Sequence, residues 1–233
     1  MSHRENMLRI KVVHRALEEL SRDVIFVGGA IVSLYTDRPV NEVRPTDDID
    51  IIIELIDYKG YAAIDEQLRQ KGFLNDAASG VICRYIVQGI IVDVMPTSEN
   101  VLGFANKWYP EAAKNSIQKQ LEDNISINIF PAIYFLATKL EAFKNRGQND
   151  GRFSNDFEDI VYILNNRNSI WEEMEKAPEN LHQYLRDEFT KLLSVLYIDE
   201  WISAHLDYQE QKRVKLIIGG LISFTEENST KNQ

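Results

Sequence analysis

The stretch Arg44-Pro45-Thr46-Asp47-Asp48-Ile49-Asp50-Ile51-Ile52-Ile53-Glu54-Leu55 decides how this chain is read. Successive strand residues point to opposite faces, so residues i and i+2 share one. On a strand over 47–55, Asp48 and Asp50 aim the same way while Ile49, Ile51 and Ile53 take the other side. Two carboxylates held together repel unless a cation stands between them. Oxygen ligands suit Mg²⁺ or Mn²⁺ better than zinc. The pair reads as the start of a metal site for phosphate chemistry. The competing reading is a strand with one wet face, common in antiparallel sheets. Like charges side by side make a poor strand, which favours the first.

Just upstream, Val24 to Val27 is a β-branched and aromatic run, hence a strand, and Gly28-Gly29 breaks it. Ala30 to Tyr35 then reads as a short helix. A strand, two glycines and a helix start bring backbone N–H groups close to an anion. Ser33 lies on that helix and is a candidate for the same side. Glycine pairs also occur in plain tight turns, and their spacing here fits neither the P-loop nor the dinucleotide fingerprint.

Downstream, Ile82 to Val87 and Ile90 to Met95 form a predicted hairpin turning near Gln88-Gly89. Asp93 interrupts the apolar run of its second arm, where a charge is costly unless paired or metal-bound. If that arm lies beside 47–54, Asp93 joins Asp48 and Asp50. Three carboxylates can hold two metal ions about 3.5–4 Å apart, one for an acceptor hydroxyl and one for a triphosphate. The alternative is a strand-end aspartate near the turn before Pro96.

Elsewhere, Leu8, Ile10, Val13, Leu17 and Leu20 predict an amphipathic helix over 5–22. A loop with Pro39 and Pro45 follows over 38–46, and a helix over 58–71 closes at Gly72. Residues 106–122 read as helix, with Pro110 blurring its start, and 126–130 as a short strand. Pro131 suits the first turn of a helix to about 144. A polar loop spans 145–155. Helical patterns follow at 154–165, 168–176, 179–197 and 208–223, and the tail from Glu226 is polar. Strands in the first half and helices in the second imply α+β, a small mixed sheet followed by a helical bundle. The expected division is 1–105 and 106–233.

The chain has 233 residues, 44% hydrophobic and 27% charged, ordinary for a globular protein. Net charge of −10 argues against gripping extended duplex DNA, which needs a broad basic surface. No apolar run spans a membrane, and residues 1–6 lack the order of a secretory signal, so a cytoplasmic protein is expected. Cys83, the single cysteine, reads as a half-buried strand residue. His3, His14, His182 and His205 are scattered without ligand spacing and read as surface or packing residues. Trp108, Tyr109, Trp171, Tyr184, Tyr197 and Trp201 do not alternate with basic residues and read as packing.

Gly28-Gly29, then Asp48-Ile49-Asp50, then the lone strand aspartate Asp93 resemble the polymerase-β-like nucleotidyltransferase superfamily. "FVGGAIVSLY", "RPTDDIDI", "FLATKLEAFKNRG" and "SNDFEDIVYIL" resemble its AbiEii-type group, which includes the toxin half of some toxin–antitoxin pairs. The resemblance covers roughly 20–165. It implies a nucleotidyltransferase core, with Asp48, Asp50 and Asp93 on Mg²⁺ or Mn²⁺ and Asp93 as possible base. It also implies Gly28, Gly29 and Ser33 along the triphosphate and Thr46 near the metals. Lys139 would face the phosphates, and Asp156 would be the aspartate of the downstream motif. Asn155 departs from the basic residue often found there. On purely structural grounds, Lys139 is a solvated lysine, and Asp156 and Asp159 are first-turn residues favourable to the helix dipole after a Ser154 N-cap. Arg146 and Arg152, in the polar loop, could meet a nucleic-acid end or nothing at all, and Arg44 receives no role.

The function so implied is transfer of NMP from an NTP to an acceptor hydroxyl, first the tRNA acceptor end, in a system with a possible antitoxin partner. Two alternatives stand beside it: a small-molecule, antibiotic-type adenylyltransferase, and a non-catalytic nucleotide-binding protein.

Overall fold

The computed structural model describes residues 2–38, 43–55, 58–147 and 150–226. Pro39, part of the predicted loop, and the tail beyond Glu226 lie outside the described residues. The fold is α+β, and the chain divides into two compact units, Met1–Leu34 with Asn41–Pro131 and Tyr35–Val40 with Ala132–Gln233.

The first unit is built on one seven-stranded mixed sheet. Its strands are β1 (Val24–Val27), β2 (Asp48–Ile53), β3 (Leu74–Asn75), β4 (Arg84–Val87), β5 (Ile90–Pro96), β6 (Ile117–Glu122) and β7 (Ile125–Ile129), in the order β3-β4-β5-β2-β1-β7-β6. β2 runs antiparallel to β1 and parallel to β5, and β1 runs parallel to β7. The central strands are apolar because both their faces are covered: Phe26, Ile49, Ile51, Ile52 and Val92 have no exposed surface. The β4–β5 hairpin turns as expected, with Gln88 at φ 49° and Gly89 at φ 78°. Two positive φ values mark the type I′ turn whose twist matches the strands.

Around the sheet lie α1 (Ser2–Leu17), α2 (Tyr58–Gln70), α3 (Glu99–Leu102) and α4 (Tyr109–Lys114). α1 stops at Leu17, and residues 18–22 form a 3₁₀ turn. Ile10, Val13, Leu17 and Leu20 are buried as predicted, but Leu8 is 59% exposed. The buried position one turn before Ile10 belongs to Asn6 instead, which has no exposed surface.

The helix expected over 106–122 is corrected. Only Tyr109–Lys114 is helical, and Ile117–Glu122 is β6, the edge of the sheet, paired antiparallel with β7. The β6–β7 hairpin therefore belongs with the sheet, and the first unit runs to Pro131 rather than stopping at 105.

The second unit is helical: α5 (Ala132–Arg146), α6 (Asn155–Asn166), α7 (Ile170–Glu175), α8 (Glu179–Leu193), α9 (Ile198–Ser203) and α10 (Val214–Glu226). The predicted helix over 179–197 ends at Leu193, and the one over 208–223 opens with a 3₁₀ segment, Tyr208–Arg213. Ser154 caps α6 as expected, its hydroxyl accepting from the Phe157 N–H at 3.3 Å. Phe143, Phe157 and Trp201 meet ring to ring at 5.3–6.0 Å and centre the core. Tyr197, expected to pack, is 53% exposed. No helix among the described residues is long and apolar enough to cross a membrane.

Candidate functional site

The strand register gathers the three predicted aspartates. Asp50 stands opposite Asp93 across the β2–β5 pair and opposite Val27 across the β1–β2 pair. Directly paired residues share a face, and Asp48 shares that of Asp50. Asp48, Asp50 and Asp93 thus rise from one face of the sheet, two from the central strand and one from its neighbour.

Gly28 ends β1 beside them at φ 75°, a left-handed conformation that L residues avoid. A Cβ built on Gly28 would fall 1.9 Å from Oδ2 of Asp50, so the carboxyl occupies space that only glycine leaves. At Gly29 a Cβ would fall 2.3 Å from Nη2 of Arg44 and 3.1 Å from Cγ2 of Thr46. The glycine pair is therefore a close-approach device, and Arg44 and Thr46 pack against it. Thr46 is buried and its carbonyl accepts from Arg9. Asn6 holds the same loop from α1: its Nδ2 donates to the Arg44 carbonyl at 3.3 Å, and its Oδ1 accepts from the Thr46 N–H at 3.4 Å.

The short helix expected after the glycines is a seven-residue 3₁₀ run, Gly29–Tyr35. The dipole argument for an anion there loses its basis, because a short 3₁₀ run does not sum peptide dipoles as a long helix does. Ser33 is 3% exposed, and its Oγ lies 2.7 Å from Nδ1 of His3.

The sequence reading missed Arg84. It faces Asp93 across the hairpin, and its Nε and Nη2 donate to the two oxygens of Asp93 at 2.8 Å each. The same Nη2 reaches Oδ2 of Asp48 at 3.3 Å. The bonds to Asp93 raise the guanidinium pKa further, so it is a permanent cation. The signal was present: a two-residue turn at Gln88-Gly89 fixes Arg84 as the partner of Asp93.

Three aspartates on one face offer the hard oxygen donors that Mg²⁺ or Mn²⁺ prefers. The donor chemistry and the Gly28 cradle around Asp50 fit such an ion. As placed, however, Asp48 and Asp93 close on the arginine. Among the described residues no three His, Cys, Asp or Glu side chains are drawn close enough together to hold a metal ion. Cys83, just before β4, is 3% exposed rather than half-buried. Its thiol is pushed up to about 11, first by burial and then by the negative charge of Asp93, with a smaller part from Asp50.

Lys139 and Asp156 meet in the second unit. Nζ of Lys139 donates to Oδ1 of Asp156 at 3.1 Å and lies 2.6 Å from Oδ2 of Asp159. It also sits 5.6 Å from the Phe135 ring centre. Lys139, Asp156 and Asp159 are all buried, so Lys139 is not a solvated lysine, and Asp156 does stand in the first turn after the Ser154 cap. Arg146 reaches Asp156 from outside with Nε at 2.7 Å and Nη2 at 2.9 Å. Burial alone would raise the Asp156 carboxyl, but Arg146 and Lys139 outweigh it and hold it below the usual carboxylate range. Arg152 bonds Asp150, with Nη2 to Oδ2 at 2.7 Å. Asp159, read from the sequence only as a helix-start residue, is the second carboxylate on Lys139.

A scan of the chain against models of known protein families finds no match, and a search of the curated proteins finds none either.

Proposed function

We propose that this protein is a metal-dependent nucleotidyltransferase that moves an NMP from an NTP to an acceptor hydroxyl and releases pyrophosphate. The observation that carries the reading is the register that aligns Asp50 with Asp93, and Asp48 with both, on one face beside the Gly28 turn. Asp48, Asp50 and Asp93 would hold Mg²⁺ or Mn²⁺. Such an ion neutralises phosphate charge and activates the acceptor hydroxyl. The chain's own part is positioning. Gly28 leaves room for the Asp50 carboxyl and Gly29 for Arg44 and Thr46, and the buried Asn6–Thr46 contact fixes the loop behind them. Ser33 and Thr46 are buried, so in the proposal they support this face from behind, and Asp93 is the candidate base. Lys139 and Asp156, which the resemblance would bring to the phosphates, are buried against one another and Asp159 and are left out of the proposed lining.

The acceptor we favour is the tRNA end, with a small-molecule hydroxyl next. The net charge of −10 favours a narrowly gripped acceptor over an extended one. An antitoxin partner is part of the tRNA version. The test is incubation of the protein with each α-labelled NTP and total cell RNA, protein and small-molecule extract. Label in RNA of tRNA size supports the first version, and label in small molecules supports the second. Nucleotide binding by calorimetry with no label moved and no pyrophosphate released would support the non-catalytic alternative.

A further inference from the structure

The Arg84 fork closes on two of the three sheet aspartates, Asp93 and Asp48. Its grip is uneven. Two parallel bonds of 2.8 Å hold Asp93, while a single 3.3 Å bond reaches Asp48. The side chains are partly open to solvent, 23% for Arg84, 12% for Asp93 and 36% for Asp48. A bond network at that exposure can exchange partners, which a sealed one cannot.

From this geometry we infer that Arg84 is a displaceable counter-cation that keeps a lone divalent ion off Asp48 and Asp93 and yields to one arriving with an NTP. The inference rests on the nucleotidyltransferase reading of the same face. A divalent ion arriving alone must break the arginine's charge-assisted bonds and leave the guanidinium beside a dication without an anion. An NTP changes that balance. Its phosphates offer the guanidinium fork the same planar, two-oxygen match that Asp93 gives. Arg84 can then turn from carboxylate to phosphate while the carboxylates turn to the metal. Metal and nucleotide are coupled through one side chain, and such coupling is reciprocal. No bond to phosphorus forms or breaks in this step.

The test is calorimetric titration of MnCl₂ into the full chain, alone and with the α,β-imido analogue of each ribonucleoside triphosphate, for wild type, Arg84→Gln and Arg84→Lys. No turnover is needed. Wild type should bind Mn²⁺ weakly alone and about tenfold or more tightly with the matching analogue. Arg84→Gln should bind Mn²⁺ alone about tenfold more tightly than wild type, lose most of the coupling, and hold the analogue less well. Arg84→Lys keeps the charge without the fork and should fall between. If Arg84→Gln does not fold, judged by circular dichroism, Arg84→Lys against wild type decides on the same criterion. Equal Mn²⁺ affinity in wild type and variant without nucleotide overturns the inference. If wild type then still transfers label and Asp48→Ala does not, the Arg84 role alone has failed. If no protein binds Mn²⁺ under any condition, the metal-dependent reading fails with it.

Discussion

Two sets of aspartates in this chain meet their cations in opposite ways. On the sheet, Asp48 and Arg84 are partly open to water at 36% and 23%, while Asp93, which Arg84 grips with two bonds, is nearly buried at 12%. In the helical unit, Asp156 and Asp159 enclose Lys139, with side-chain exposures of 4%, 2% and 8%. Breaking a sealed ion pair leaves a buried charge and costs about 3–5 kcal/mol, whereas an exposed pair contributes about 0–1 kcal/mol. The sealed cluster is therefore committed to the fold, while the open one is available to exchange partners. The same residue types are enclosed in one place and, at Asp48 and Arg84, partly open to solvent in the other.

The sharpest way to break that contrast is a crossed pair of substitutions. Asp50→Ala should lower label transfer by about 10³-fold or more, a loss of transition-state charge stabilisation. Its urea midpoint should stay near that of wild type. Asp159→Ala should do the reverse for stability, removing about 3 kcal/mol because Lys139 keeps one buried carboxylate fewer. If Asp159→Ala is as stable as wild type in urea, the sealed cluster does not hold the fold.

Gly28→Ala refines the sheet side. The left-handed φ costs about 1–2 kcal/mol for an L residue. The added Cβ also displaces the Asp50 carboxyl. Transfer should fall by more than the stability loss accounts for, and comparing initial rates with denaturation midpoints decides it.

Acid refines the helical side. Asp156 titrates below its unfolded value once Arg146 and Lys139 overcome its burial, so it binds its proton less readily folded than unfolded. Its contribution is present above an unfolded pKa of about 3.9 and fades as pH falls through the lower folded value. Asp156→Asn should flatten the stability decline below about pH 4 and lower stability at neutral pH. A variant whose acid slope matches wild type contradicts the pairing.

The smallest effect concerns Cys83. With its thiol buried and pushed up to about 11, it should react with a disulfide reagent at pH 8 only as fast as the chain unfolds. Rapid labelling of the folded protein would show that this edge of the sheet opens.

The aspartate face was legible because the alternation in Asp48 to Ile53 and the lone charge in Ile90 to Val94 are period-two signals in strongly apolar strands. Arg84 was legible too, through the hairpin turn, but an arginine beside a predicted carboxylate was not followed to its partner. β6 was not. Its sequence, Ile117 to Glu122, is Ile-Gln-Lys-Gln-Leu-Glu, and most of it is exposed at the sheet edge. No buried face imposes alternation there, and Ile117 and Leu121 stand at helical spacing in residues that favour helices. The Asp123-Asn124 pair before β7 was the turn signal that argued otherwise. Leu8 and Asn6 exchanged places for a related reason. Positions 6, 10, 13 and 17 are themselves helically spaced, and the asparagine takes the buried one because loop backbone at Arg44 and Thr46 satisfies it. The burial of Lys139 and Asp159 depends on how α5 and α6 pack, which pattern within either helix does not encode.

The most direct test of the account is label transfer from α-labelled NTPs by wild type and Asp48→Ala, in Mg²⁺ and after chelation, with melting temperatures recorded on the same samples. The account predicts transfer by wild type in Mg²⁺ alone and none by an equally folded Asp48→Ala. Equal turnover by the two proteins would contradict it.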